Sequence, residues 1–129
     1  MNDTITALAT PPGEGGLGII RISGKDALTI AVALFHSAPG KSELTPQKVA
    51  FGEIRNPDTG QCVDEVLLTF FKAPKSYTAE DVIEISAHGG TLITAKILAL
   101  VLAQGARMAE PGEFTRRAFT NGRLDLTQA

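Results

Sequence analysis

Three places in the chain combine residue types that can do chemistry. The first is Arg21, the only charge in the apolar, largely β-branched run Leu17-Gly18-Ile19-Ile20-Arg21-Ile22-Ser23. A guanidinium in a buried strand must find a carboxylate, a carbonyl or a ligand, because burying it unpaired is very costly. The second is Val82-Ile83-Glu84-Ile85-Ser86, which runs into His88-Gly89-Gly90. In a strand, Glu84 and Ser86 share the face opposite Ile83 and Ile85. Glu84 is then either a solvent-facing residue of an antiparallel strand or a carboxylate on a cleft floor, accepting two hydrogen bonds from a flat heterocycle. His88 either caps a turn or contacts a ligand, and Gly89 and Gly90 allow close backbone approach. The third place is Glu110 to Phe119, where two acids, two arginines and two phenylalanines fall within ten residues. Here the expected core residues are Phe114 and Phe119, with Glu113 at the positive end of a short helix and Arg116 and Arg117 toward its negative end. The electrostatics of one helix could explain this segment, and so could the wall of a site.

Other patterns fail on mechanism. Gly13, Gly15 and Gly18 match the spacing of a dinucleotide fingerprint, but a β-branched run follows them where that motif needs a helix. Gly40-Lys41-Ser42 echoes a P-loop, yet Phe35 stands where its first glycine belongs. His88-Gly89-Gly90 resembles an esterase oxyanion loop, but no Gly-x-Ser-x-Gly elbow exists to supply a nucleophile. Two histidines and one cysteine, Cys62, offer neither a metal-ligand spacing nor an intrachain disulfide. No catalytic residue and no metal ligand is therefore assigned. The net charge of −2 gives this segment no electrostatic reason to bind nucleic acid strongly. The start lacks the basic and apolar regions of a signal peptide, and no run approaches membrane-spanning length. Asn2-Asp3-Thr4 is a glycosylation sequon without meaning unless the chain is secreted. The expectation is a reduced, cytoplasmic domain.

To position these residues the chain needs a sheet. Thr10 to Gly16, rich in proline and glycine, reads as an irregular lip before the Arg21 strand, which is expected to be the central one. Strands are expected at Thr4–Ala9, Leu17–Ser23, Val49–Arg55, Val63–Phe71 and Val82–Ala87, with a short one at Ala106–Met108. Asn56-Pro57-Asp58-Thr59-Gly60 is turn chemistry and joins the third and fourth into a hairpin. Ser37–Gln47 and Lys72–Glu80 read as loops, the second holding the sole tyrosine, Tyr77. Helices are expected at Asp26–Phe35, Thr91–Gln104 and Glu113–Thr120. The middle one is apolar nearly all round, so it should be either a central helix or a self-association surface. The fold class is α/β (α+β): a mixed sheet of about five strands flanked by two or three helices. The chain ends at Leu124-Asp125-Leu126-Thr127-Gln128-Ala129, where Asp125 reads as a helix N-cap followed by a first turn. A chain cut from a longer protein is expected.

Three segments together resemble one family. They are Asp3–Gly13 with Gly15–Gly24, Ser76–Glu84 running into His88-Gly89-Gly90, and Pro111–Phe119 with Asn121–Ala129. The combination resembles the N-terminal domain of the tRNA modification GTPases called MnmE or TrmE, from end to end. Glu14, where a basic residue is common, and Ala79, where glycine is expected, depart from the pattern. The resemblance implies a fold similar to the folate-binding domain of aminomethyltransferases, with residues 1–120 as a folate-binding and dimerisation domain. Residues 121–129 would begin a truncated helical domain that carries an inserted GTPase domain, the place of GTP, Mg and K. It implies a tetrahydrofolate derivative (5-formyl- or 5,10-methylene-tetrahydrofolate) as one-carbon donor, a homodimer, and the flavoprotein MnmG as partner. With that partner the parent protein adds an aminomethyl-type group to C5 of the wobble uridine in tRNA, the tRNA being held by the complete complex. A cysteine near the parent's C-terminus is expected too. On this reading Arg21, Glu84, His88 and Arg116 line the folate slot, with Gly89 and Glu113 beside it. Two other readings stay open: a dimerisation scaffold with a vestigial site, and a fragment of a stand-alone aminomethyltransferase-like enzyme.

Overall fold

The computed structural model describes residues 3–10, 17–37 and 44–122. The proline-glycine lip at 11–16, the Gly40-Lys41-Ser42 echo and the Asp125 helix start lie outside the described residues. The elements run β1 (Ile5–Thr10), β2 (Gly18–Ser23), α1 (Ala27–Leu34), β3 (Phe35–Ser37), β4 (Val49–Arg55), β5 (Cys62–Phe71), β6 (Val82–Ala87), α2 (Gly90–Ala103), β7 (Arg107–Met108) and α3 (Glu113–Thr120).

The strands form one mixed sheet of seven in the order β3-β4-β5-β6-β2-β1-β7. All neighbours are antiparallel except β1 and β7, which pair in parallel. The middle strand is thus β6, not β2, which lies beside it between β6 and β1. Alternation divides the sheet sharply. Ile20 and Ile22 of β2, Ile83 and Ile85 of β6, and Val66 and Leu68 of β5 point to one face and are buried with Ile30 and Leu34 of α1 and Ile97 and Val101 of α2. This single apolar layer between the sheet and two helices is the core. The other face carries Arg21 and Glu84, and α3 lies over part of it.

The edge strands are β7, the short strand expected at Ala106–Met108, and β3, which was not expected and is made by tertiary pairing. The helix expected through Phe35 ends at Leu34, and Phe35 turns extended (φ −100, ψ 131) to begin β3. Phe35–Ser37 pairs with Gly52–Ile54 of β4. Gly52 makes this possible, because a Cβ there would meet the Phe35 ring at 2.7 Å. The Asn56–Gly60 turn forms as expected, with Gly60 N donating to Asn56 O (2.7 Å), Asp58 N to Asn56 Oδ1 (2.8 Å), and Gly60 at φ +76.

Of the two readings of the apolar helix, one is excluded, and one expectation about the core fails. The apolar helix α2 is not central: it buries Thr94, Ile97 and Val101 along one side, and Leu92 is 68% exposed. Phe114 and Phe119 are not core residues either. α3 buries Glu113, Arg117 and Ala118, while Phe119 is exposed and Phe114 half-buried. Charge complementarity within an ionic cluster outweighs the apolar preference of the two rings here.

Candidate functional site

Arg21 and Glu84 sit directly opposite each other in the β2–β6 register. Cross-strand neighbours on one face are close enough to bond, and these do: Arg21 Nε donates to Glu84 Oε2 at 2.9 Å and an NH2 group reaches the same oxygen at 2.8 Å. Both side chains are about a quarter exposed, at 26% and 28%. Strand pairing therefore satisfies Arg21 in the way its place in the sequence requires. Among the described residues, Glu84 Oε1 keeps no hydrogen-bond partner.

Two aromatic rings flank the guanidinium. Tyr77, from the loop between β5 and β6, has its ring centroid 5.6 Å from Arg21 Cζ, and Phe114 of α3 lies at 5.8 Å. The Tyr77 hydroxyl and Thr115 Oγ1 are 2.9 Å apart, so loop and helix meet above the arginine. Arg21 lines two cavities, one shared with Tyr77 and the other with Thr115. One, of about 880 Å³, also takes in Tyr77, Lys75, Gln47, Phe71 and Asn121. The other, of about 370 Å³, is lined by Ala7, Ala9, Pro111, Phe114 and Thr115 as well.

An ionic cluster holds these pieces in place. Arg117, only 1% exposed, donates to Asp3 O (2.8 Å), Asp3 Oδ1 (2.8 Å), Glu80 Oε1 (3.2 Å) and Glu113 Oε2 (3.2 Å). Arg107 of β7 grips Glu113 with two bonds, at 3.1 and 2.7 Å, and Asp3 at 2.6 Å. Glu80 also accepts from Ser23 Oγ at 2.7 Å. The cluster ties the start of β1, the β5–β6 loop, β7 and α3 into one frame. Its electrostatics follow from these bonds. The Arg107 hydrogen bond, aided by the Glu110 backbone N–H, holds the Glu113 carboxyl down at about 2. Asp3 is likewise held well below the usual carboxylate range, chiefly by Arg107. Among the described residues Arg117 Nε is buried without a partner.

The six residues expected at a slot separate into groups. Arg21 and Glu84 are joined on the cavity floor. Glu113 lines the smaller cavity and is already committed to Arg107 and Arg117. Arg116 is exposed on α3 and bonds Glu110 at 3.1 Å. His88 and Gly89 lie at the far end of β6, four strand positions or about 13 Å from Glu84. There both backbone N–H groups donate to Asp64 Oδ2 (2.8 and 3.1 Å), and His88 Nδ1 is 3.0 Å from Glu65 O. Neither lines a cavity that Arg21 lines.

Sequence reasoning passed over Tyr77, Phe114 and Gln47. Along the chain Tyr77 stands out only as the sole tyrosine, and the spacing of Phe114 points to the core. Gln47 is at φ +65; its Nε2 donates to Lys75 O (3.0 Å) and its Oε1 accepts from Lys72 N (2.9 Å), bracing the loop across sequence distance. Nothing local marks such a role. Ala79, where glycine was expected, is also in the left-handed region at φ +66. Among the described residues no group of three or more His, Cys, Asp or Glu could hold a metal ion, and no helix is long and apolar enough to cross a membrane. Cys62 is an exposed free thiol whose pKa is pushed up by burial of its sulfur and by Glu53.

This arrangement can be set beside known proteins. A family described as the GTP-binding protein TrmE N-terminus matches residues 4–123. Proteins named tRNA modification GTPase MnmE are similar over the whole chain: 57% identical in Chloroflexus aurantiacus, 56% in Moorella thermoacetica and 50% in Koribacter versatilis. The chain covers 28% of the length of each. With nearly its whole length matched, the chain belongs to the family of TrmE N-terminal domains.

Proposed function

We propose that this chain is the folate-binding and homodimerisation domain of a tRNA modification GTPase. The parent acts in the cytoplasm with the flavoprotein MnmG to add an aminomethyl-type group to C5 of the wobble uridine. The observation that carries the folate reading is the Arg21–Glu84 pair, half-open on the sheet face between two cavities and flanked by Tyr77 and Phe114. A pterin presents a flat edge of donors, which suits a carboxylate with an uncommitted oxygen. Aromatic and apolar walls suit the aminobenzoyl ring, and Lys75 on the larger cavity suits the carboxylates of the glutamate tail. When bound, a tetrahydrofolate supplies the one-carbon unit; the chain's own residues hold and orient it. GTP hydrolysis, with its Mg and K, belongs to the remainder of the parent.

Dimerisation is supported by apolar surface that the single chain leaves open. Val49, Phe51 and Leu67 are exposed on the same sheet face, with Phe51 directly opposite Leu67. A solvent-facing cluster of that kind is a common mark of association.

Calorimetric titration with 5-formyltetrahydrofolate tests the site. Arg21→Ala and Glu84→Ala should each weaken binding at least about tenfold, since each removes one partner of a charge-assisted contact. Wild-type affinity in both variants removes the pair from the site. If the unmodified chain neither binds nor gains thermal stability with the ligand, the scaffold reading replaces this one. Light scattering on the same sample reads the oligomeric state.

A further inference from the structure

The two cavities share Arg21 in their linings, and Tyr77 of the larger touches Thr115 of the smaller. The backbone of the β5–β6 loop is pinned on both sides of Tyr77. Gln47 holds Lys72 N and Lys75 O before it, and Asn121 Nδ2 holds Thr78 O (2.8 Å) after it. Ser76 Oγ also bonds Glu80 O, closing the loop on itself. α3 is fixed by Arg117, which bonds Asp3 and Glu80, without any contact through the Tyr77 ring. The Tyr77 side chain, in contrast, is 40% exposed and is held by one exposed hydrogen bond to Thr115 and by its contact with the Arg21 guanidinium. An exposed bond and a half-exposed cation–π contact are each weak. A rotation of this one side chain, with no backbone movement, therefore costs little.

We propose that Tyr77 is a movable partition whose rotation joins the two cavities into a single elongated site, with the Arg21–Glu84 pair at its middle. Tyr77 and Lys75 line the larger cavity, Phe114 and Thr115 the smaller, and Arg21 both. The joined site takes a ligand longer than either cavity, with a flat ring system at one end and an anionic tail at the other. A ligand spanning both cavities holds Tyr77 open, so Tyr77 positions the guanidinium in the empty site and yields it on binding. The choice of a folate as probe rests on the function proposed above; the partition itself does not.

Tyr77 is the only tyrosine, and the chain has no tryptophan, so 3-fluorotyrosine labelling places one 19F signal at this position. In the ligand-free chain, Thr115→Val, which removes only the hydroxyl partner, should shift that signal, and Thr115→Ser should restore it. Binding of 5-formyltetrahydrofolate should move it in the same direction as Thr115→Val. In stopped-flow measurements, Thr115→Val and Tyr77→Phe should each raise the association rate about fivefold, as expected for losing one hydrogen bond, with dissociation unchanged. A merely structural role would speed dissociation instead. A 19F signal indifferent to Thr115→Val, or faster dissociation without faster association, overturns the partition. Absence of folate binding in every variant overturns the folate reading, and the ligand-free spectra then decide the partition alone.

Discussion

In Arg117→Met the side chain keeps most of its bulk, but the NH groups that reach Asp3, Glu80 and Glu113 are gone. What remains is a carboxylate cluster with one cation fewer. Removing one partner of a buried charged cluster costs about 3–5 kcal/mol, because the others lose their compensation. The lower end applies here. Asp3 and Glu80 retain contact with water, and Arg107 still pairs with Glu113. About 3 kcal/mol, set against the unfolding entropy of a domain this size, corresponds to a fall in Tm of roughly 10 °C. Differential scanning calorimetry at neutral pH reads it directly, and amide hydrogen exchange should show the loss concentrated in α3 and the β5–β6 loop. Glu113→Gln combined with Arg117→Met should cost less than the sum of the two alone, since both disrupt the same cluster. A fall in Tm under about 3 °C would refute the claim that this cluster, and not apolar contact, holds α3 to the sheet.

Further expectations follow from the same geometry. Acid should unfold the protein through this cluster. Glu113 sits at about 2 when folded against an ordinary value of 4.5, so its stabilisation is complete above the ordinary value and is lost as pH falls toward 2. Asp3, shifted the same way, adds to the slope, and Tm measured against pH should fall less steeply over that window in Glu113→Gln. Ala79→Gly relieves a left-handed alanine at φ +66. Strain of roughly 1–2 kcal/mol, less the entropy of a freer unfolded chain, leaves a gain of up to about 1 kcal/mol in urea denaturation. Gly52→Ala brings a Cβ within 2.7 Å of the Phe35 ring and should cost about 2 kcal/mol, with faster hydrogen exchange in β3.

What could be read along the chain was whatever is carried by neighbouring residues. Alternation in β2 and β6, the Asn56–Gly60 turn chemistry and the apolar run of α2 set those elements within a residue or so of where they stand. The placement of Arg21 among branched apolar residues demanded a partner, and the opposite face position of Glu84 from Ile83 and Ile85 made it a candidate. Pairing alone decided the match: only the β2–β6 register brings those two residues, far apart in sequence, into contact. Tertiary structure also decided what periodicity hides. Phe114 lies over a guanidinium instead of entering the core, and Arg117 is buried because the segment before β1, the β5–β6 loop and the first turn of its own helix converge on it with acids and a carbonyl. His88 is committed to a strand end by Asp64 and Glu65, residues of a different strand. Hydrophobic periodicity is a local property of the chain, whereas the burial of a charge depends on which distant partners the fold delivers to it. For that reason the strands and helices were legible in the sequence, and the ionic frame and the aromatic flanks of Arg21 were not.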